Sequence, residues 1–466
     1  MPEPLWTSDE IATATDGRAT GGSFKADGVS IDSRSIEKGD LFVALAGVRD
    51  GHEFVDAARA QGAAGVLASR PVGVSAVLVN DTFKALQDLG YAARERAGDC
   101  RRCAVTGSVG KTSVTRAIAA GLALAGPAHA SVKSYNNHLG VPLTLARMPK
   151  RTRRAVFEIG MNHAGEITPL SRQVKPHVAV VTTVGPVHVE NFEDGEAGVA
   201  RAKAEIFDGL ARNGVAVLNA DDRWFDLLNA AAVAAGASVR TFGAREGSDA
   251  QLLDLGAEDG RTHIQASLHG RELGFSLPQT GAHWGPNSLA VLLALEAMDV
   301  PLETGLKALS GFGALEGRGA EGRLDIGRGG FTLIDESYNA NPLSMRSALQ
   351  SLRGRKGRRI AVLTDMLELG ADAPRHHAAL AAEVESADVG LVFCAGPLMR
   401  SLWDALPSDR RGGYAETAEA LTPRVLEAVQ AGDVVMVKGS NGSKASLVVR
   451  ALNDAALKDA KREGAR

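Results

Sequence analysis

The chain has only three cysteines in 466 residues, too few for a disulfide framework and suited to a reducing compartment. Two of them, in Cys100-Arg101-Arg102-Cys103, have the spacing of a redox or zinc pair, but they stand at the entry to a predicted strand and read as incidental thiols. A surplus of charge is also missing. Lys and Arg number 52 against 55 Asp and Glu, a net charge of -3, which excludes a general nucleic-acid binder resting on a strong basic excess. No apolar run approaches the about 18 residues of a membrane span. Met1-Pro2-Glu3-Pro4-Leu5-Trp6 has neither a basic nor an apolar leader region, so a cytoplasmic protein without membrane insertion is expected. Internal repeats and low-complexity tracts are absent as well.

What is there is an ordinary globular composition, 45% hydrophobic and 23% charged, spread over a length too great for one core. At about 150 residues per domain it suggests about three. Residues 1–98 carry short β-like runs (Leu41 to Leu45, Gly65 to Ala68, Ala76 to Val79) between helical patterns such as Glu53 to Gln61. Residues 99–319 continue with buried-strand patterns at Ala155 to Ile159, Val178 to Thr182 and Ala216 to Leu218. Residues 320–466 follow a glycine-rich joint, Gly311 to Gly319, and add Phe331 to Ile334, Arg359 to Leu363, Gly390 to Phe393 and Val434 to Val437. Strands alternating with helices predict α/β units with largely parallel sheets. The charged tail Lys458 to Glu463 reads as a frayed helix end.

Thr106-Gly107-Ser108-Val109-Gly110-Lys111-Thr112-Ser113 lies between an apolar run and an Ala/Leu-rich helical pattern. Strand, glycine loop and helix in that order make a phosphate cradle: backbone N–H groups point inward, the helix N-terminus adds its dipole, Lys111 reaches the terminal phosphates and the Thr112 hydroxyl can ligate magnesium. Val105 stands where the longer form of this loop has its first glycine. The loop predicts a nucleoside triphosphate and leaves the reaction open, because kinases, switches, motors and ligases all use one.

Magnesium-dependent phosphoryl transfer needs hard oxygen ligands and neutralisation of developing charge. Glu158 closes the strand in Val156-Phe157-Glu158-Ile159-Gly160 and His188 follows a strand in Thr182-Thr183-Val184-Gly185-Pro186-Val187-His188. Both stand at carboxyl ends of strands, where open α/β sheets place ligands. A strand-end Glu is usually solvated and a helical Lys between alanines is usually on the surface, so spacing alone gives no role to Lys203 in Ala200-Arg201-Ala202-Lys203-Ala204-Glu205.

Taken together, TGSVGKTS, EIGMNHAGEI, TTVGPVHVENF, AKAEIF followed by VLNADD, and DESYNANP with DMLELG resemble the Mur ligase family across the whole chain. The resemblance implies three α/β domains: 1–98 for the UDP end of a substrate, 99–319 as the ATPase, and 320–466 as a Rossmann-like domain closing over the site. It implies ATP-dependent addition of D-alanyl-D-alanine to UDP-N-acetylmuramoyl tripeptide through an acyl phosphate, in cytoplasmic peptidoglycan precursor synthesis. The enzyme is expected to be a monomer whose partners are small molecules, with no nucleic acid among them.

By the same resemblance, Lys111 and the backbone of Gly107, Ser108, Val109, Gly110, Thr112 and Ser113 hold the phosphates. Thr112 and Glu158 hold one of two expected Mg2+ ions. Glu158, His188 and Lys203 surround the second, with Lys203 carried as a carbamate, which turns a repelled ammonium into an anionic oxygen ligand. Arg318 neutralises the transferred group, and Asn287 reads the adenine. Tyr338 and Asn339, in Asp335-Glu336-Ser337-Tyr338-Asn339-Ala340-Asn341-Pro342, serve the nucleotide from the third domain. Ser33, Arg34, Asp50 and His52 are assigned to the UDP moiety, Asn136 and Asn137 to phosphate or sugar at the domain junction, and Asp365 and Glu368, with Lys438 to Asn441, to the acceptor. His377 and Glu368 read otherwise as exposed helical residues. The chain departs from the family at His138, commonly acidic, at Trp284, frequently Asn, at Glu336, usually Asp, and at Thr364, generally Gly. Three alternatives stay open: a Mur ligase adding a single amino acid, a folate polyglutamate ligase, and a triphosphate-binding switch that makes no amide.

Overall fold

The alternation of apolar runs and helical patterns is realised as three multi-stranded sheets in a computed structural model that describes residues 3–463 except 48, 133, 259 and 328, with backbone alone at 459–463. Met1 and Pro2 of the amino-terminal stretch lie outside the described residues.

The first sheet orders its strands as Arg18–Thr20, Ala76–Leu78, Gly65–Ala68, Asp40–Val43 and Gly28–Ser30. Its first pairing is antiparallel and the others are parallel. Helix Thr82–Arg96 starts where the Asp81 carboxylate accepts from the Phe83 and Lys84 N–H groups at 2.8 and 3.1 Å, satisfying donors that a helix start leaves open. It buries Leu86, Leu89 and Ala93 at helical spacing and packs against helix Gly140–Ala146 of the central unit.

Nine strands form the central sheet, in the order Arg271–Leu277, Arg261–Leu268, Ala250–Glu258, Ser238–Gly243, Val215–Asn219, Val178–Val181, Arg101–Thr106, Arg154–Glu158 and Ala128–Ala130. From Ala128–Ala130 through Ala250–Glu258 the pairings are parallel; the last two are antiparallel. Helices Lys111–Leu124 and Trp284–Ala297 cover one face around Val114, Ile118 and Leu292. Ile167–Val174 and Glu196–Ala204 cover the other around Leu170 and Val199. Burial on both faces explains why these parallel strands read as continuous apolar runs. The antiparallel extension carries no such run: along Arg261–Leu268 buried Thr262, Ile264, Ala266 and Leu268 alternate with more open positions, the pattern of a sheet wet on one side.

In the third sheet the order is Ala320–Asp325, Gly330–Glu336, Val434–Lys438, Arg359–Thr364, Leu391–Ala395 and Arg411–Ala415, parallel except for its first pairing. Helices lie on both faces, Pro342–Leu352 and Ala373–Ser386 against one core, Ala418–Ala428 and Ser446–Glu463 against the other. The tail read as a frayed end thus belongs to a helix that runs to Glu463. No helix among the described residues is long and apolar enough to cross a membrane. All three cysteines are buried, and burial pushes the Cys100 thiol up to about 11, the opposite of an activated thiolate.

Candidate active site

The phosphate loop forms between strand Arg101–Thr106 and helix Lys111–Leu124. Gly110 has φ +86 and Gly107 φ +148, left-handed conformations that favour glycine; a Cβ on Gly107 would also collide with Thr182 Oγ1. Ser108 fastens the loop to the next strand. Its Oγ donates to the Gly185 carbonyl at 3.1 Å and accepts from the Gly185 N–H at 3.0 Å, while its N–H donates to the Thr183 carbonyl at 2.7 Å. Lys111 folds back to donate to the Gly107 carbonyl at 2.6 Å. Burial, reinforced by nearby Arg318 and opposed by Glu158, holds its ammonium below the usual lysine range.

Around Glu158 a set of hard oxygens converges. Thr112 Oγ1 donates to Glu158 Oε2 at 2.7 Å and lies 3.1 Å from Ser134 Oγ, and Asn136 Nδ2 donates to Glu158 Oε1 at 2.8 Å. Far from being solvated, Glu158 is 3% exposed. Hydroxyl and carboxylate oxygens at this spacing match the ligand chemistry of a magnesium ion. Asn136 thus orients the carboxylate, whereas Asn137 Oδ1 accepts from the Leu139 and Gly140 N–H groups at the start of helix Gly140–Ala146.

Lys203 corrects the expectation of a surface lysine. It is 3% exposed, has no carboxylate within ion-pairing distance among the described residues, and its ammonium is driven well down by burial and by Lys111. His188, in a left-handed conformation at φ +59, is pushed down to about 4 by burial and by the charges of Lys111 and Lys203. Its Nδ1 lies 2.7 Å from Glu368 Oε2, without the alignment of a hydrogen bond. No three His, Cys, Asp or Glu side chains cluster as a ready metal site among the described residues. The loops of these residues are tied together: Glu205 accepts from the Gly165, Ile167 and Thr168 N–H groups, and Asn191 Nδ2 donates to the Asn162 carbonyl.

A cavity of about 440 Å³ opens over the phosphate loop between the second and third units. It gathers Ser108, Val109, Gly110, Lys111, Thr112, Ser113, Asn136, Glu158, Asn287, Arg318, Tyr338 and Asn339 from the expected set. Gly107 lies beneath it, and His188 and Lys203 lie beside Lys111, outside its lining. Arg318 stands 4.1 Å over the Tyr338 ring, a cation–π contact that fixes its direction. The joint around it is stitched by Gly317 N–H to Asp335 Oδ2 at 3.1 Å and Gly319 N–H to the Asp335 carbonyl at 2.8 Å. Asn287 is 8% exposed in the first turn of Trp284–Ala297, its amide against Gly110. Trp284 turns instead into the core, edge-on to Phe312 at 5.7 Å.

Several residues of this wall were not singled out from the sequence. His283, Asn219, Leu343 and Ser347 line the cavity, and Ser134 shares a loop with Asn136, the one signal that pointed to it. Lys438, assigned to the acceptor, is buried in the same wall, 3.3 Å from Glu336 Oε2 and donating to the Asn339 carbonyl at 3.0 Å.

The remaining assigned residues lie elsewhere. Arg34 is 87% exposed at its side chain and paired with Asp32 at 2.7 Å beside Ser33. The His52 ring is buried: it accepts the Ser69 N–H at Nε2 and meets Asp50 Oδ1 at Nδ1, 2.6 Å. Asp50 also pairs with Arg70 at 2.7 Å. Asp365 is buried and accepts from the Met399 N–H at 2.8 Å; desolvation raises its carboxyl. Glu368 remains half-exposed, raised by burial and by Glu190. His377, expected on the surface, is 0% exposed, accepting the Met366 N–H and donating to the Ala373 carbonyl.

A phosphate loop whose cavity is completed by a second α/β unit defines a nucleotide-using enzyme that acts between domains. Residues 25–103 match the model described as Mur ligase family, catalytic domain; 105–295 match the Mur ligase middle domain; 322–441 match the Mur ligase, glutamate ligase domain. The chain is 35% identical over 443 residues to the UDP-N-acetylmuramoyl-tripeptide–D-alanyl-D-alanine ligase of Bacillus subtilis, covering 92% of this chain and 94% of that one. With the Escherichia coli enzyme of that name it shares 34% over 466 residues, covering 96% and 98%. A crystal structure of MurF from Acinetobacter baumannii superimposes with TM-score 0.84 at 28% identity, over 97% of this chain and 99% of that one. MurF from Thermotoga maritima in complex with ADP shares the fold, at TM-score 0.77 and 24% identity, over 93% and 98%. The chain belongs to the Mur ligase family.

Proposed function

We propose that this chain is the ATP-dependent ligase that joins D-alanyl-D-alanine to UDP-N-acetylmuramoyl tripeptide in peptidoglycan precursor synthesis. The observation that carries the reading is the shared cavity: Lys111 and Glu158 from the central unit and Arg318 and Lys438 from the third unit line one space. It is joined by 34–35% identity, over 92–96% of this chain, to relatives named for that activity.

In this reading residues 1–98, 99–319 and 320–466 are the UDP, ATP and acceptor units of a cytoplasmic monomer. The loop N–H groups from Gly107 to Ser113 cradle the triphosphate, and Lys111 leaves the Gly107 carbonyl for the terminal phosphates. Asn287 presents both a donor and an acceptor to the base. A carboxylate oxygen of the tripeptide attacks the γ-phosphorus, the bond to ADP breaks, and an acyl phosphate forms. Lys111 and Arg318 neutralise charge on the transferred group. The dipeptide ammonium gives one proton to water and, as a neutral amine, attacks the acyl carbon; the C–O bond to phosphate breaks, the second proton leaves with the phosphate as hydrogen phosphate, and the amide remains. A magnesium ion held by Thr112 and Glu158 would offset the charge of the triphosphate oxygens.

Lys203 fits as a second metal-side ligand only after reaction of its amine with carbon dioxide, which gives a carbamate and releases a proton. A buried lysine without a counter-charge among the described residues supports that reading, since the anion formed would face His188 and Lys111 rather than solvent. Ser33, Arg34 and Asn136 contact the UDP-muramoyl substrate, Asp50 and His52 build the turn that presents it, and Asp365 and Glu368 border the acceptor.

The test is an acceptor panel. ADP release with UDP-muramoyl tripeptide should require D-alanyl-D-alanine, with an amide product of matching amount. Release only with a single amino acid, only with a folate substrate, or without any amide product would each overturn the assignment in favour of the corresponding alternative.

A further inference from the structure

Asp222 lies outside the cavity, at the end of the Asn219-Ala220-Asp221-Asp222 run that follows strand Val215–Asn219. It is 8% exposed, and its two carboxylate oxygens face different elements. Oδ2 accepts from Thr183 Oγ1 at 2.9 Å and from the Val184 N–H at 2.6 Å. Oδ1 accepts from the Trp224 N–H at 2.9 Å, ahead of helix Phe225–Ala234. The first pair of bonds reaches the segment that grips the phosphate loop: the Thr183 carbonyl takes the Ser108 N–H, and Gly185 makes both bonds with the Ser108 hydroxyl. The same segment runs on through Pro186 and Val187 to His188.

We infer that Asp222 is a positioning residue for the nucleotide: through Thr183 and Val184 it fixes the segment against which Ser108 sets the phosphate loop. A cradle of N–H groups binds phosphate only if its dipoles are already aimed. Ser108 therefore needs a partner that does not shift, and two hydrogen bonds converging on one buried oxygen of Asp222 hold that partner in place. This inference rests on the nucleotide reading of the loop.

Two substitutions separate positioning from support. Asp222→Ser keeps a short oxygen able to cap the Trp224 N–H but cannot reach Thr183 and Val184. Asp222→Asn keeps a carbonyl oxygen for Thr183 and Val184 and places an amide nitrogen, which cannot accept, toward Trp224. Calorimetric titration with ADP and thermal unfolding of the nucleotide-free protein give the two readouts. For Asp222→Ser the ADP Kd should rise about tenfold in protein that still unfolds cooperatively, at a temperature lowered by the loss of the Thr183 and Val184 bonds. Asp222→Asn, which keeps those two bonds and loses only the Trp224 one, should also unfold at a lower temperature but keep a near wild-type Kd. Unchanged Kd in both variants, or equal weakening in both, overturns the inference. Wild-type protein that fails to bind ADP overturns instead the nucleotide reading beneath it.

Discussion

Lys203 shows how far a single side chain departs from what its neighbours in sequence imply. Alanines on both sides suggest a solvated helix face, yet the fold turns that face onto the wall beside Lys111 and leaves the Lys203 amine 3% exposed, with no acidic partner among the described residues. Burying an unpaired charge is costly, so stability does not account for the position. If Lys203 works as a carbamate, Lys203→Ala should lose most ligase activity and recover part of it when a short carboxylic acid is added to supply the missing oxygen ligand. Activity is followed as ADP release coupled to amide formation. Full activity in the unassisted variant would remove Lys203 from the mechanism. Lys111 and Glu158 were legible because a glycine loop and a strand end each have a local signature. Lys203 and Asp222 had none, since the roles proposed for them depend on residues distant in the chain.

At the scale of elements, the turn Met366 to Ala373 joins strand Arg359–Thr364 to helix Ala373–Ser386 and carries Glu368 toward His188. One imidazole holds both ends of it, with His377 accepting the Met366 N–H at 3.0 Å and donating to the Ala373 carbonyl at 2.6 Å. Accepting the Met366 N–H requires the neutral ring, and burial holds its proton affinity below the ordinary value of 6.5. The unfolded chain therefore binds a proton as pH drops below that value while the folded ring does not. Stability from this site is complete above about pH 6.5 and is lost as pH falls toward the depressed folded value. His377→Gln should be less stable at neutral pH and show a flatter loss of unfolding free energy between pH 7 and 5 in denaturant titrations; a parallel slope would show that other groups carry the dependence. Element types followed legibility of a different kind. Parallel strands buried on both faces stood out as apolar runs. The antiparallel strands from Ala250 to Leu277 did not, because alternating residues on a one-sided sheet dilute the apolar signal. Trp284 likewise reads as a substituted site residue in sequence and as core beside Phe312 in space.

At the scale of the whole molecule, the reaction space exists only while the third unit is seated on the second. The seat is built from small contacts: a Leu343 methyl packs directly on Gly185, where any Cβ would collide; the Gly370 N–H donates to Glu190 Oε2 at 3.1 Å; Ser347 Oγ lies 3.3 Å from His283 Nδ1. Arg355 reaches across the joint to Thr280 Oγ1 at 2.7 Å while paired with Glu321 of its own unit at 2.8 Å. A mixed anhydride of carboxylate and phosphate is open to water whenever the units part, so the seat decides how often the acyl phosphate is hydrolysed before the amine arrives. Arg355→Ala removes a charge-assisted bond worth about 1.5 kcal/mol without touching the phosphate loop. It should leave ADP binding unchanged and raise ADP release relative to amide formed, by a few-fold at limiting dipeptide. Comparing ADP and amide yields over a range of dipeptide concentration reads that ratio directly. Excess dipeptide should restore coupling, because the amine then captures the intermediate before water does; a ratio that stays at the wild-type value throughout would show that the Arg355 tie plays no part in closure.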